Sequence, residues 1–514
     1  MPAKCIMVQG TSSHVGKSLL VAGLCRILYR RGLKVAPFKS QNMALNSYVT
    51  EDGFEIGRAQ GVQAEAAGIK ATVEMNPILL KPKEEMSTQV IVMGRPYAEM
   101  SAMDYREDFV PKGLEIVKEA LLKLRSEYDV VVIEGAGSPA EVNLRERDIA
   151  NMEIALLAGA PVILVADIDR GGAFASLIGT MELLAPREKA LVAGFVINKF
   201  RGDLRLLKPG LNFLEERTGL PVLGVVPFIR DHGIEEEDSV ALQERSYNKR
   251  EGGGPLLDIV VIKLPHISNY TDFAPLEQEA DVKLRYLDRA EELGEPDAVI
   301  IPGTKSTTGD LNFLRATGLE EGILKLHARG TPVVGICGGF QMLGETLEDP
   351  AGTESKERAA SGLGFLPLET VFAPEKITRR IRARVSHHSA WGEMAGLELE
   401  GYEIRHGKSR LCPSFSDASL LPSITAFSVG EGELIGLASQ EGDVFGTYLH
   451  DLFYNDLFRR RWLNSLRARR GLPPVTEGEN IPKARRRREE SYDRLALILS
   501  EHLDLKRLYK IIGI

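Results

Sequence analysis

Short runs of β-branched and aliphatic residues recur along the chain, apolar at nearly every position rather than at every second one. In the first half they are Cys5–Val8, Val35–Phe38, Val130–Ile133, Val162–Val165, Phe195–Ile197 and Val222–Val226. In the second half they are Ile259–Ile262, Val299–Ile301 and Val333–Val334. A strand that is apolar on both sides must be covered on both faces. Helical segments lie between successive runs, so parallel α/β sheets are expected. A polar, glycine-rich stretch, Asn248–Pro255, separates the two sets and marks a boundary. The expected organisation is a domain over 1–245, a linker over 246–256, a second domain over 257–465 and a helical tail over 466–514.

The chain of 514 residues is long enough for several well-filled cores. Its formal charge of −8 argues against general nucleic-acid affinity, while leaving room for a local basic pocket that takes an anion. The basic run Lys483–Arg488 is followed at once by Glu489 and Glu490. It reads as the solvated lead-in to a helix carrying Leu495, Ile498, Leu499 and Leu503 on one side. No apolar run reaches the length of a membrane span, and Met1-Pro2-Ala3-Lys4 leads straight into a strand. Cys5, Cys25, Cys337 and Cys412 have neither metal-like nor disulfide-like spacing. A cytoplasmic protein that binds neither nucleic acid nor membrane is expected.

Two motifs carry chemistry. The first strand runs into Gly10-Thr11-Ser-Ser-His-Val-Gly16-Lys17-Ser18, and a helix with Leu20, Leu24, Ile27 and Leu28 on one face follows. Strand, glycine loop, Lys-Ser and helix make a phosphate-binding loop. Backbone N–H groups surround phosphate oxygens, Lys17 reaches the outer phosphates, and Ser18 ligates Mg²⁺. Five residues separate the two glycines rather than four, with Thr11 where the first glycine normally falls. In a covered parallel sheet the working residues lie just past the carboxyl ends of the strands. Those ends supply Lys39, Glu134, Asp167, Asp169, Arg170, Asn198 and Lys199. Glu134 is the best second contact for Mg²⁺, because a hard cation between phosphates wants carboxylate oxygen. Asp167, Asp169 and Arg170 could serve metal or substrate.

The second motif is Pro332-Val-Val-Gly-Ile-Cys337-Gly338-Gly339-Phe-Gln341. A strand meets a helix at a cysteine, with glycines where a Cβ would clash. This is the cysteine form of a nucleophile elbow. A helix N-terminus beneath the sulfur favours the anion, which is the reactive form. Such a nucleophile needs a base, and that base is a histidine brought close by folding. Val444–His450 is the best setting, a strand that delivers His450 at its end; His387 and His388 follow, then His406.

Gly-Thr-x4-Gly-Lys-Ser together with Ile133-Glu-Gly-Ala-Gly137 resembles the dethiobiotin-synthetase type of ATP-binding domain. Longer phrases resemble the cobyric acid synthase family of glutamine-dependent amidotransferases. They are Ala36–Asn46, Glu55–Gln60, Met75–Pro82, Ala166–Gly172 and Leu264–Phe273. The resemblance implies an N-terminal P-loop domain and a C-terminal class I glutamine amidotransferase-like α/β domain. It implies ATP with Mg²⁺, L-glutamine as nitrogen donor, and a corrinoid polycarboxylate whose b, d, e and g carboxylates become amides. It assigns Gly10, Thr11, Gly16, Lys17, Ser18, Lys39 and Asn198 to ATP, Ser18 and Glu134 to Mg²⁺, and Asn42, Asp167, Asp169 and Arg170 to the substrate. Cys337 and His450 become the catalytic pair, with Gly338 and Gly303 at the oxyanion. The larger glutaminase class has a glutamate two residues after the histidine, where this chain has Leu452. The cobalamin branch generally lacks it, so a Cys-His dyad is expected. Asp451 is a poor substitute, since neighbouring side chains on a strand point oppositely. Arg405 stands where a Tyr-Glu-Ile-His-x-Gly phrase of that branch has histidine, and no catalytic role is assigned to it.

Overall fold

The computed structural model describes residues 2–84, 87–230, 232–235, 256–354, 357–387, 389–413, 424–430, 433–476 and 483–514. The expected linker stretch Asn248–Pro255 and the candidate base His388 lie outside them. The chain forms two compact units, and neither is continuous in sequence. One comprises Met1–Ala44, Phe54–Glu235 and Arg487–Ile514; the other comprises Leu45–Gly53 and Glu236–Arg486.

In the first unit the expected apolar runs form a six-stranded sheet, in the order Val222–Pro227, Val192–Phe200, Val162–Asp167, Lys4–Gly10, Val130–Glu134, Val35–Phe38. Every neighbouring pair is parallel. Lys4–Gly10 lies in the interior of the sheet, so its carboxyl end opens between those of Val130–Glu134 and Val162–Asp167. Helix Lys17–Arg30 buries Leu20, Val21, Leu24 and Leu28 in a core shared with Tyr492, Leu495 and Leu499. That core is why residues 487–514 belong to this unit rather than to a separate tail: Leu503, Leu508 and Ile512 are buried in it as well. A second, four-stranded sheet holds Gln41–Met43, Ile78–Glu84, Ser87–Val92 and Arg95–Met100. Two of its strands carry the short apolar runs Ile78–Leu80 and Val90–Val92, while Gln41–Met43 and Arg95–Met100 carry none.

In the second unit the strands Val282–Leu287, Leu257–Ile262, Ala298–Ile301, Val333–Ile336 and Val444–Thr447 are neighbours in that order, all parallel. Beyond Val444–Thr447 the sheet turns antiparallel through Glu433–Ala438 and Thr425–Val429 to the long strand Leu368–Val385. Strand Glu398–Leu411 pairs antiparallel with that long strand. The short segment Leu45–Gly53, which interrupts the first unit in sequence, belongs here. Its Val49 is buried in a cluster with Tyr402 and Ile404.

Candidate active site

Strand Val333–Ile336 ends at Cys337, whose φ of 52° and ψ of −107° are strained for a residue with a Cβ. The helix Gly338–Met342 begins at the next residue. So close an approach requires glycine at 339, where a Cβ would stand 2.0 Å from the carbonyl oxygen of Ile301. The backbone N–H of Cys337 donates to the Thr447 carbonyl at 2.8 Å, which ties the elbow to the strand leading to His450. The sulfur is buried and faces the carbonyl oxygen of Ile404 at 3.4 Å.

His450 is fully buried. Its Nδ1 lies 2.7 Å from Asp272 Oδ2, and the other oxygen of that carboxylate accepts the N–H of Asp451 at 3.1 Å. Tyr402 stacks on the imidazole, with centroids 4.9 Å apart and planes 14° from parallel. Nε2 has no hydrogen-bond partner and is left for chemistry. Burial by itself would lower the proton affinity of the ring. The Asp272 carboxylate and then the Cys337 side chain override it and raise the pKa to about 10.

The arrangement corrects the expected dyad: a third residue, Asp272, orients the histidine. Asp451 reaches the same carboxylate through its backbone N–H, in a left-handed turn with φ 61°. The signal for Asp272 was a single carboxylate in Tyr270-Thr271-Asp272-Phe273, a run otherwise suited to a core. Buried at 2% exposure, such a carboxylate requires a charged or hydrogen-bonding partner. Of the other candidate bases, His387 is exposed, and the Nδ1 of His406 is 3.3 Å from the Ala373 carbonyl.

Gly303 and Gly338 come together around this pair. A Cβ on Gly303 would lie 3.3 Å from His450 Cε1, and one on Gly338 would lie 3.2 Å from the Thr304 nitrogen. Arg405 bonds Glu403 at 2.7 Å and lies 4.0 Å above the Tyr448 ring.

In the first unit, Glu134 is buried at the end of its strand, and polar groups surround it. Ser18 Oγ donates at 2.8 Å and Lys39 Nζ at 2.9 Å to one oxygen, and Gln63 Nε2 donates at 2.5 Å to the other. Burial would raise the pKa of this carboxyl group, but Lys39, Gln63 and Ser18 together hold it below the usual range. Gln63 escaped the sequence reading because it lies on helix Arg58–Ala66, away from any strand end. Lys17 Nζ donates to the carbonyls of Ser12 and Gly137, both at 3.0 Å, so the lysine closes across its own loop and ties it to the turn after Val130–Glu134. Thr11 N–H donates to the Val165 carbonyl at 2.9 Å. Asn198 Nδ2 donates to the Val15 carbonyl at 2.7 Å and braces the loop beside Gly16 (φ 95°), where a Cβ would meet that amide at 2.2 Å.

Asp167 and Asn198 are register partners, which brings the strand-end residues into one group. Lys199 Nζ is 3.0 Å from Asp167 and Arg170 is 3.8 Å from it, while Arg201 is 3.1 Å from Asp169. Asn42 is buried, and its Nδ2 donates to Gln60 Oε1 at 3.0 Å.

Among the described residues no three acidic, histidine or cysteine side chains gather as a metal-binding group. Adjacent Ser18 and Glu134 oxygens suit a Mg²⁺ ion that keeps most of its ligands as phosphate and water. No described helix is long and apolar enough to cross a membrane.

Comparison with known proteins finds a match for each half of the chain. Residues 6–239 match the CobQ/CobB/MinD/ParA nucleotide binding domain, and residues 258–458 match the CobB/CobQ-like glutamine amidotransferase domain. A cobyric acid synthase of Desulforamulus reducens is 53% identical over 100% of this chain and 98% of its own length. That of Moorella thermoacetica is 52% identical over 100% and 98%. That of Carboxydothermus hydrogenoformans is 50% identical over the whole of both chains.

Proposed function

The chain belongs to the cobyric acid synthase family, and on that premise we propose that it uses ATP and glutamine to amidate the b, d, e and g carboxylates of adenosylcobyrinic acid a,c-diamide. The observation that carries this reading is the buried His450–Asp272 pair, whose ring also feels the Cys337 side chain, in a chain that also holds a phosphate-binding loop with Lys17 bonded back to Ser12.

The glutaminase half follows from the protonation of His450. At neutral pH the ring holds its proton, stabilised by Asp272. The sulfur of Cys337 attacks the glutamine carboxamide as its anion, and the N–H groups of Gly338 and the Gly303 turn receive the oxyanion. His450 passes its Nε2 proton to the departing nitrogen, so ammonia leaves and a thioester remains. Water, deprotonated by the same nitrogen, then splits the thioester to glutamate, which returns the sulfur to its anion and leaves the ring protonated for the next cycle.

In the other half, Lys17, the loop N–H groups and Asn198 bind ATP, with Lys39 set against Glu134. Asn42, Asp167, Asp169 and Arg170 face the corrinoid acid. Ser18 and Glu134 would hold Mg²⁺, which supplies charge neutralisation on the phosphates. Transfer of the terminal phosphoryl group to a carboxylate makes an acyl phosphate, because oxide is too poor a leaving group at neutral pH. Ammonia displaces phosphate and leaves an amide. The cytoplasm, where ATP and glutamine are abundant and the thiol stays reduced, is the compartment this chemistry suits.

The test is incubation with ATP, Mg²⁺, glutamine and cobyrinic acid a,c-diamide, followed by product mass. Amides gained at all four carboxylates support the reading; unchanged substrate overturns it. Cys337→Ala should abolish the glutamine-dependent reaction yet leave the reaction with ammonium salt, whereas Lys17→Ala should stop both.

A further inference from the structure

The segment Leu45–Gly53 comes from the first half of the sequence, yet it contacts the supports of all three glutaminase residues. Two crossed hydrogen bonds join it to the turn that carries Asp272. Asn269 Oδ1 accepts the Ser47 N–H at 2.8 Å, and Asn46 Oδ1 accepts the Tyr270 N–H at 3.2 Å. All four residues are buried, Ser47 completely. Asn269 itself is left-handed, with φ 52° and ψ 35°, and the short helix Tyr270–Phe273 starts from it. The crossed pair therefore fixes where Asp272 projects.

A little further on, Val49 packs against Tyr402 and Ile404, and its carbonyl accepts from Arg380 Nε at 2.8 Å. Tyr402 is the ring stacked on His450, and Ile404 is the carbonyl that faces the Cys337 sulfur.

We propose that Asn46 and Asn269 are positioning residues for glutamine hydrolysis, and that the glutaminase site is completed by a segment supplied from the nucleotide-binding half of the sequence. The inference rests on the glutaminase reading above. Its physical basis is that a histidine oriented by a carboxylate works only while that carboxylate is held still. A misplacement of about 1 Å costs up to ~10²-fold in rate. The turn bearing Asp272 is short, and the crossed amide bonds anchor its first residues.

The experiment uses the full chain. Asn269→Gly removes the amide that accepts from Ser47, while glycine adopts the left-handed backbone freely. Its kcat for glutamine hydrolysis should fall ~10-fold or more, with KM for glutamine nearly unchanged and the ammonium-dependent amidation at the unmodified rate. Asn269→Asp keeps an acceptor oxygen and a tolerated backbone, and should recover most of the loss. Asn46→Ala, which deletes the other bond of the pair, should repeat the Asn269→Gly pattern. Hydrolysis at the unmodified rate in both Asn269→Gly and Asn46→Ala overturns the proposal. So does an equal loss of both nitrogen sources in both variants, because the segment then serves folding at large. An unmodified chain that releases no ammonia from glutamine would instead overturn the reading of the site on which the proposal depends.

Discussion

His450 Nδ1 stands 2.7 Å from Asp272 Oδ2, and both side chains are buried. The carboxylate is held at its second oxygen by the Asp451 N–H, so it has little freedom to rotate away from the ring. That rigidity keeps the unpartnered Nε2 aimed away from Asp272 and toward the sulfur side of the site.

Asp272→Asn preserves shape and removes the charge. The buried imidazole then loses the largest influence that raises its pKa, and burial favours the neutral ring. Glutamine-dependent turnover should fall by ~10²–10⁴, the range of a disabled general acid–base group, with the ammonium-dependent rate retained. Steady-state kinetics with the two nitrogen sources checks it; equal turnover in Asp272→Asn and the unmodified chain would remove Asp272 from the mechanism.

The same contact predicts a pH dependence of stability. The folded pKa of His450, about 10, lies above the ordinary value of 6.5. A raised pKa means the folded state binds the proton more tightly, so the stabilisation is complete below pH 6.5 and is lost as pH rises through about 10. The gap in urea midpoint between the unmodified chain and His450→Gln should be widest near pH 6 and narrow steadily toward pH 10. A gap that widens with pH would contradict the assignment.

Strain at Cys337 separates function from stability. With φ at 52°, both cysteine and alanine have a Cβ in an unfavourable place, whereas glycine does not. Cys337→Gly should therefore be more stable than Cys337→Ala by ~1–3 kcal/mol, although neither hydrolyses glutamine. Denaturant melts of the two variants decide the matter, and equal midpoints would mean that the elbow is not strained.

Adding a methyl group at Gly339 should be far worse, since its Cβ would stand 2.0 Å from the Ile301 backbone oxygen and nothing flexible can yield. Gly339→Ala should lose more than ~3 kcal/mol of stability or fail to fold, by overpacking a site framed by backbone. A soluble variant with an unaltered melting point would show that the helix can move aside.

Glu134→Gln removes the charge that faces Lys39 and borders Ser18. Amidation should drop by ~10² or more with glutamine and with ammonium alike, because the lost electrostatics serve the phosphate site that both routes share. The Mg²⁺ concentration needed for half-maximal residual activity should rise. A variant that is impaired only with glutamine would place Glu134 outside the phosphate site.

The six-stranded sheet and the parallel strands Leu257–Ile262, Ala298–Ile301, Val333–Ile336 and Val444–Thr447 were legible because each writes itself as a short apolar run, and such runs are local; the edge strand Val282–Leu287 alternates polar and apolar residues and was not. The phosphate loop and the cysteine elbow were legible for the same reason: glycines, lysine, serine and cysteine must be close in sequence to make one turn. Asp272 was not legible as the partner of His450, since 178 residues separate them and nothing in either neighbourhood names the other. Gln63 lies 71 residues from Glu134, and Asn46 lies 224 from Tyr270. The destination of residues 45–53, and of the helix that closes the chain, was equally hidden. By itself, then, the order of residues determined the six-stranded sheet, the buried parallel strands of the second sheet, the loop and the elbow, through spacing and local backbone geometry. Tertiary packing decided which distant carboxylate and amides reach the histidine, because those contacts follow from how apolar surfaces close over one another and carry no spacing of their own.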